Sequence, residues 1–459
     1  MPHRLPGETN GIVKQAIVWV LLLALGLRVS AAVAVQMYVE GRDRSFLIEG
    51  DANGYWELGR RLANGAAYEI YTPPRRAMRM PGFPGLLALS IKLSGENLLF
   101  CRILLALAGT VACGMVYWLG RLLVDTRTGL VAAAVAAVSP VFVGFSTLVL
   151  TETVFAASVT ASVFLFAQWL GFGPARTTSL SEGDLRPGLT ARRIRLAIAG
   201  GVMAGLACYV RPSWLLFAPA VCAFAVWQSM WQKKTTGRGD QSDISGADGR
   251  WSRDCRHTLM ESVLLLGALF LTLLPWGLHN QNATGHFVLT TLWVGPSLYD
   301  GLSEAATGES NMTFFDRENL LGSMSEYEMD REYRSRAWAF AGKNPGRACQ
   351  LGLIKFGRFW SPWPNASQFR AWWQCLAVGI VTVPVMVLAA YGAWLSRQNS
   401  ALLLLTLGPV VYFSAIHSVF IGSIRYRLPA EYPLLVLSSV GGLAVWDRIQ
   451  SQRNLTARL

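Results

Sequence analysis

Long apolar runs recur through this sequence and constrain its fold more than any other feature. About ten runs have a length that suits a bilayer span, at roughly 15–38, 98–120, 126–145, 150–172, 195–210, 213–232, 259–278, 373–396, 400–420 and 428–446. Only 15% of the residues are charged, whereas soluble domains carry about 25%. The pattern excludes a disordered chain and an ordinary soluble enzyme, and it predicts an all-α polytopic membrane protein.

Basic residues indicate how the chain is oriented. The sequence has 41 Lys and Arg against 28 Asp and Glu, a net charge of +13. In a soluble protein this charge would suggest nucleic acid. Here the basic residues gather in short loops near 121–127, 176–193 and 233–256 and in the tail after residue 446. The positive-inside rule assigns these loops to the cytoplasm, so we expect a multi-pass cell (inner) membrane protein that contacts anionic lipids and no nucleic acid.

Two longer segments then face the opposite, non-cytoplasmic side. This orientation requires that the short apolar run 82–94 does not cross, and its roughly 13 residues are too few to span a bilayer. The predicted regions are an N-terminal membrane module at 1–278 that includes an outward loop at 39–97, an outward segment at 279–372, C-terminal membrane helices at 373–446 and a cytoplasmic tail at 447–459.

Cysteine and histidine form no recognisable metal or disulfide pattern. The seven cysteines include no C-x-x-C pair. The sequence also contains no P-loop, nucleophile elbow or dinucleotide fingerprint. His279 stands alone at the end of an apolar run, where a structural role is the usual one. Any chemistry therefore has to come from carboxylates and arginines.

Two carboxylates stand out because each lies where a membrane run meets the outward side. Asp51 follows the first run, and Tyr55 lies four residues on, one helical turn away. A carboxylate at a helix N-terminus is stabilised as a cap, so capping and catalysis both remain as interpretations of Asp51. Glu152 opens the run at 150–172, and a carboxylate there is costly unless it faces a cavity or a partner.

Several arginines lie at outward helix ends, where the positive-inside rule does not explain them. Arg79 immediately precedes the short run 82–94, Arg211 lies at an outward turn, and Arg425 and Arg427 precede the last run. Anchoring to lipid headgroups is one interpretation of Arg79. The other is phosphate recognition, because a guanidinium forks onto phosphate oxygens. Together these arginines predict a convergent anion site, and Arg28, in the first run, either snorkels or joins it.

Five short motifs follow Asp51 and Tyr55 in the chain: R-M-P-G-F-P at 79–84, L-T-E-T at 150–153, Y-V-R-P at 209–212, L-P-W-G-L-H-N at 274–280 and R-Y-R-L-P at 425–429. In order and topology, these motifs resemble the GT-C superfamily, integral-membrane glycosyltransferases that use polyprenyl-phosphate sugars. The nearest branch is similar to protein O-mannosyltransferases and lipid A aminoarabinose transferases, in glycosyltransferase family 39. Relatives carry Arg-Asn after a Pro-Trp pair, where this chain has His279-Asn280.

The resemblance implies a GT-C-like fold of about ten transmembrane helices with outward interfacial helices. It implies that Asp51 is the catalytic acidic residue, with Glu152 as a second acidic position. Arg79, Arg211 and Arg425 or Arg427 fall where relatives contact the lipid phosphate, and Tyr55, Arg28 and His279 are supporting residues. No cofactor is firmly implied, and a divalent metal held by Asp51 and Glu152 is left open.

The chemistry of such a transfer fits these residue types. Moving a sugar from a lipid phosphate to a hydroxyl requires a base for the acceptor proton and cations for the departing phosphate. One base without a covalent nucleophile predicts an inverting reaction. The acceptor is left open among protein, lipid A, cell-wall glycan and another lipid. Two alternatives remain: a transporter or flippase of a lipid-linked or anionic solute, and a noncatalytic membrane assembly protein.

Overall fold

The computed structural model describes residues 6–172, 187–236 and 244–456. The predicted basic loops near 176–193 and 233–256 lie partly outside these residues. Within the described ranges the chain forms α-helices joined by short loops and 3₁₀ turns. The helices are α1 (Pro6–Glu40), α2 (Asp51–Ala63), α3 (Gly82–Ser94), α4 (Leu98–Leu123), α5 (Thr126–Val138), α6 (Pro140–Phe145), α7 (Glu152–Trp169), α8 (Pro187–Val210), α9 (Phe217–Thr236), α10 (Ile244–Thr284), α11 (Val294–Gly301), α12 (Thr313–Glu318), α13 (Glu326–Lys343), α14 (Pro345–Phe359), α15 (Trp372–Leu395), α16 (Ser400–Thr406), α17 (Gly408–Val419) and α18 (Ile424–Thr456).

Several of these helices are long and apolar enough to cross a bilayer. The described residues contain seven such helices, or eight if α16 and α17, which meet at 50°, form one bent span. The chain is therefore a multi-pass membrane protein with an all-α fold, as predicted. The count is lower than the expected ten. Helix α3, with 13 residues, is too short to span, as expected for the run 82–94.

The two expected spans that fall short do so for different reasons. The run 126–145 is broken at Ser139, because the following Pro140 disfavours a helical residue before it and ends α5. Helix α7 is continuous, but its 18 residues include Glu152, Gln168 and several Ser and Thr residues, which lower its mean hydropathy. Most of its side chains are buried against other helices, so they need not match the apolarity of lipid tails.

Helix α18 lies at the centre of the bundle. Of the most apolar 18-residue stretch of α18, 72% is buried inside the protein, whereas only 17% of the corresponding stretch of α1 is buried. Helix α1 therefore lies at the periphery of the bundle. Helix α18 packs against α15, α7, α5 and α17. Close backbone approach holds other helix pairs together: a Cβ on Gly201 of α8 would lie 2.0 Å from the Leu265 carbonyl oxygen of α10, which only glycine tolerates.

Two further groups of helices come from the two segments that the sequence predicts to face outward. Helices α2 and α3 belong to the segment 39–97, and α11 to α14 belong to the segment 279–372. The two segments touch each other, since the Leu292 amide donates to the Ala77 carbonyl over 2.8 Å. Helix α13 starts with a capping box between Ser325 and Glu328, a strong helix-start signal. The boundaries of the four regions stay a prediction.

Candidate active site

Asp51 opens α2 but does not serve as its cap. Gly50 occupies the N-cap position with a φ of 77°, a conformation that favours glycine. The Asp51 carboxylate instead accepts hydrogen bonds from two arginines. Arg79 Nη2 lies 2.9 Å from Oδ1, and Arg425 Nη1 lies 2.9 Å from Oδ2. The capping interpretation is therefore replaced by an ion-paired carboxylate.

Glu152 lies next to this group at the first turn of α7. Its side chain has no exposed surface, and its Oε1 accepts a hydrogen bond from Arg425 Nε. Arg211 Nη1 lies 3.3 Å from the same oxygen. Arg425 thus bridges two carboxylates, and the ion pairs run in the order Arg79, Asp51, Arg425, Glu152, Arg211. We call these five residues the ion cluster.

Local structure explains how the arginines reach the cluster. Arg211 follows α8 in an extended conformation because the next residue, Pro212, stops the helix. Arg425 is the second residue of α18, and Arg79 lies in the loop that leads into α3. A Cβ on Gly54 would lie 3.2 Å from Arg79 Nη2 and 2.9 Å from the Tyr71 hydroxyl, so glycine makes room for the Arg79 head group.

The ion cluster carries excess positive charge. Three guanidinium groups face two carboxylates, which leaves one net positive charge. Within the described part of the chain, the buried Arg79 Nε and Glu152 Oε2 have no hydrogen-bond partner. The Asp51 side chain keeps 42% of its surface exposed, so a ligand can reach it. The arrangement suits an anion that brings its own oxygens to the free guanidinium donors.

The pKa shifts at the cluster follow from these pairs. Desolvation raises the pKa of the Asp51 carboxyl, but the charges and hydrogen bonds of Arg79 and Arg425 outweigh it and hold that pKa well below its ordinary value. Burial lowers the pKa of Arg79, yet Tyr55 and Asp51 raise it above the ordinary arginine value. Asp51 is therefore an ionised carboxylate, and Arg79 stays charged.

Aromatic rings support the guanidinium groups from behind. The Arg79 guanidinium carbon lies 4.0 Å from the centre of the Tyr55 ring, so this ring packs against a member of the cluster. Sequence reasoning missed Tyr426, whose ring lies 5.0 Å from the Arg211 guanidinium and stacks on His417. The only sequence signal for Tyr426 was its position between Arg425 and Arg427. It also missed Tyr68, whose hydroxyl donates to the Arg79 carbonyl over 3.1 Å.

Arg427 and Arg28 do not reach the cluster. Arg427 is buried, pairs with Glu431 and donates to the carbonyls at the end of α14, so the structure brings Arg425 and not Arg427 to the carboxylates. Arg28 neither snorkels nor joins the other arginines. It donates to the Ala136 and Ala137 carbonyls, at 2.9 and 3.1 Å. These carbonyls lie in the last turn of α5, where the helix leaves acceptors unpaired.

His279 also lies outside the ion cluster. Its ring stacks on Trp276 at 4.7 Å and meets the edge of Tyr68 at 6.0 Å. His279 therefore contacts Tyr68, whose hydroxyl donates to the Arg79 carbonyl, and does not contact the ion pairs themselves.

The carboxylates fit a divalent metal poorly. Within the described ranges, no group of three or more His, Cys, Asp or Glu side chains is placed to hold an ion. Both Asp51 oxygens and one Glu152 oxygen are already engaged by arginines, which would repel a cation. No step below is therefore derived through a metal.

A cavity of about 400 Å³ lies beside the cluster. It shares Gly54 and Tyr71 with the surroundings of Arg79. Its walls combine aromatic rings with polar and charged groups. Seven of the lining residues come from one side of α2 or the loop before it: Ser45, Phe46, Asn53, Gly54, Trp56, Glu57 and Arg60.

Part of the chain matches the sequence model of a known protein family. Residues 78–291, just under half of the chain, match the family model of the dolichyl-phosphate-mannose-protein mannosyltransferases. The predicted resemblance is confirmed over these residues. They include Arg79, Glu152 and Arg211, whereas Asp51 and Arg425 lie outside the match. No curated protein matches the chain.

The fold is shared with a solved oligosaccharyltransferase. That oligosaccharyltransferase is AglB from Archaeoglobus fulgidus. One structure contains an inhibitory peptide and a dolichol-phosphate, and another is the apo form. The first is 15% identical with a TM-score of 0.52 and covers 98% of this chain, the second 16% identical with a TM-score of 0.52 and covers 97%. This chain spans about half of that protein, 52% in each case. A weaker likeness, with 13% identity and a TM-score of 0.37, exists to ArnT from Cupriavidus metallidurans bound to undecaprenyl phosphate, covering 96% of this chain and 79% of that one. The predicted GT-C-like fold class is confirmed by the oligosaccharyltransferase match.

Proposed function

We propose that the chain is an integral-membrane glycosyltransferase that moves a sugar from a polyprenyl-phosphate donor to an acceptor hydroxyl. The observation that carries the proposal is the ion cluster, in which one exposed carboxylate lies between two arginines at one end of a membrane bundle. The family match supports this class of donor, as does the dolichol-phosphate of the oligosaccharyltransferase complex. A family of transferases also favours an enzyme over the transporter alternative.

The arginines would stabilise the leaving phosphate. As the bond between the sugar's anomeric carbon and the phosphate oxygen breaks, its electron pair goes to that oxygen and charge builds up on the lipid phosphate. Arg79 and Arg425 are fixed beside Asp51 before any substrate arrives. Donors that are already oriented need no reorganisation when the charge develops, which is the main source of electrostatic catalysis.

Asp51 would accept the proton from the acceptor hydroxyl. The hydroxyl oxygen forms a new bond to the anomeric carbon while its proton moves to the Asp51 carboxylate. Asp51 is a weak base while both arginines hold it, because they depress its pKa. A donor phosphate that takes guanidinium hydrogen bonds away from Asp51 would raise that pKa. Donor binding thereby prepares the base, and attack from the opposite face inverts the anomeric carbon.

The acceptor would approach through the cavity beside α2. The cavity adjoins Arg79 through Gly54 and Tyr71 and is lined by hydrogen-bonding groups such as Glu57 and Asn53. Such a lining suits a hydroxyl-bearing acceptor, whose protein, lipid or glycan identity stays open. From the basic loops we place the site on the non-cytoplasmic face of the cell (inner) membrane.

The decisive test uses purified protein in lipid nanodiscs. We would incubate it with a panel of labelled polyprenyl-phosphate sugars and membrane extract, and follow transfer of label to extract components. Transfer from at least one donor that is lost in Asp51→Asn would support the proposal. Absence of transfer together with transport of labelled lipid across proteoliposomes would favour the transporter instead. Parallel reactions with and without EDTA test the metal that the sequence left open.

A further inference from the structure

The loop that contains Arg79 is held in place by hydrogen bonds to a residue of the segment 279–372. The Glu326 carboxylate, at the start of α13, accepts the Arg76 amide at 2.8 Å and the Ala77 amide at 3.0 Å. Glu326 is buried, and burial raises the pKa of its carboxyl while the two amides oppose that shift. A buried carboxylate that uses both oxygens on backbone donors fixes the course of the chain two residues before Arg79.

The same segment also holds the short loop between α17 and α18, which leads directly into Arg425. The buried Lys355 of α14 donates to the carbonyls of Gly301 and Val419, the latter at the end of α17. Asn365 Oδ1 accepts the Ile424 amide at 2.7 Å, one residue before Arg425. A Cβ on Gly422 would lie 2.0 Å from the Lys355 carbonyl oxygen, so the two backbones are in direct contact.

Both sets of contacts belong to one packed unit. Helix α11 packs on α13, and the Gly295 amide of α11 donates to Asp330 of α13 over 2.6 Å. The unit formed by α11, α13, α14 and Asn365, which donates to the Arg358 carbonyl of α14, therefore holds the Arg79 loop and the start of α18 at a fixed separation. That separation matters because Arg79 and Arg425 donate to different oxygens of the same Asp51 carboxylate.

We propose that Glu326, Lys355 and Asn365 are positioning residues that set the two arginines on Asp51 for the lipid phosphate. The consequence for catalysis rests on the proposed function. The ordering of both loops by this unit does not depend on that function. A guanidinium on a loop that is already ordered loses less conformational freedom when it binds a ligand. The contacts of Glu326, Lys355 and Asn365 therefore strengthen phosphate binding.

The first experiment is a double-mutant cycle on the binding of undecaprenyl phosphate to protein in nanodiscs. Glu326→Gln replaces one acceptor oxygen with an amide donor, and a buried unsatisfied amide should weaken lipid-phosphate affinity about tenfold. In an Arg79→Ala background the same change should cause no further loss. Glu328→Gln is the matched control, because Glu328 only caps its own helix at Ser325. Equal losses in both backgrounds would overturn the positioning role.

The second experiment does not depend on the ligand. Hydrogen exchange should accelerate at residues 75–80 in Glu326→Gln and at residues 420–425 in Lys355→Met, each change leaving the other loop protected. Lys343→Met, at an exposed site, is the control for lysine loss, and Asn365→Leu replaces Lys355→Met if that variant misfolds. Unchanged exchange at residues 75–80 and 420–425 in these variants would overturn the positioning role. If the wild-type protein fails to bind undecaprenyl phosphate while the variants show the accelerated exchange, only the proposed donor would be overturned.

Discussion

Arg425 and Arg427 offer a matched pair for testing the role of the ion cluster. Both are arginines of α18 two residues apart, and both are largely shielded from solvent. Arg425 uses Nε on Glu152 and Nη1 on Asp51, whereas Arg427 binds Glu431 and two carbonyls near the end of α14. Exchanging each for lysine keeps the charge and changes only the geometry.

The expected size of the effect follows from the bonds that lysine cannot make. A lysine ammonium is a point charge and does not reproduce the planar fork with which a guanidinium binds two phosphate oxygens, so at least one hydrogen bond to the phosphate is lost. Losing one hydrogen bond between charged groups costs about 1.5–3 kcal/mol. Since about 1.4 kcal/mol corresponds to tenfold, Arg425→Lys should weaken lipid-phosphate affinity and kcat/KM by about 10- to 100-fold.

The assay compares both variants in nanodiscs. We would measure undecaprenyl phosphate affinity, sugar transfer and the midpoint of thermal unfolding. Arg427→Lys should lower the unfolding midpoint, because buried carbonyls lose a partner, and should leave phosphate affinity within about twofold. Equal losses of affinity in the two variants, or wild-type affinity in Arg425→Lys, would refute the assignment of Arg425 to the phosphate site.

Three further outcomes follow from the same geometry. Asp51→Asn should fold and bind donor but lose about 10²- to 10⁴-fold in transfer, and a comparable loss in Glu152→Gln would indicate that the two carboxylates act together; near-normal turnover in Asp51→Asn would contradict the base. Because the arginines depress its pKa, Asp51 stays ionised as pH falls, so kcat/KM should stay level between about pH 7 and pH 5; an acid limb in that range that disappears in Asp51→Asn would contradict this. Cysteines introduced at Asn64 and Asn311 should react with a membrane-impermeant reagent from the same side, and labelling from opposite sides would contradict the topology.

The sequence by itself determined the class of the protein and the set of residues that can act. Apolar runs specify membrane helices because an unpaired backbone cannot exist in lipid. The run 82–94 was readable as too short to span, because about 13 residues cannot cross a bilayer, whereas the break before Pro140 was missed and 126–145 was predicted as one span. Charged residues at outward helix ends identified Asp51 and Glu152 as candidates, because such placements are costly without a partner.

Only the tertiary structure decided which of those candidates meet. Asp51 and Arg425 are 374 positions apart, and no local pattern links them. Arg425 and Arg427 are equivalent in the sequence, yet two residues on a helix point in nearly opposite directions. Whichever side of α18 faces α7 therefore selects one of them. Arg28 was likewise ambiguous, because its carbonyl partners exist only where another helix happens to end.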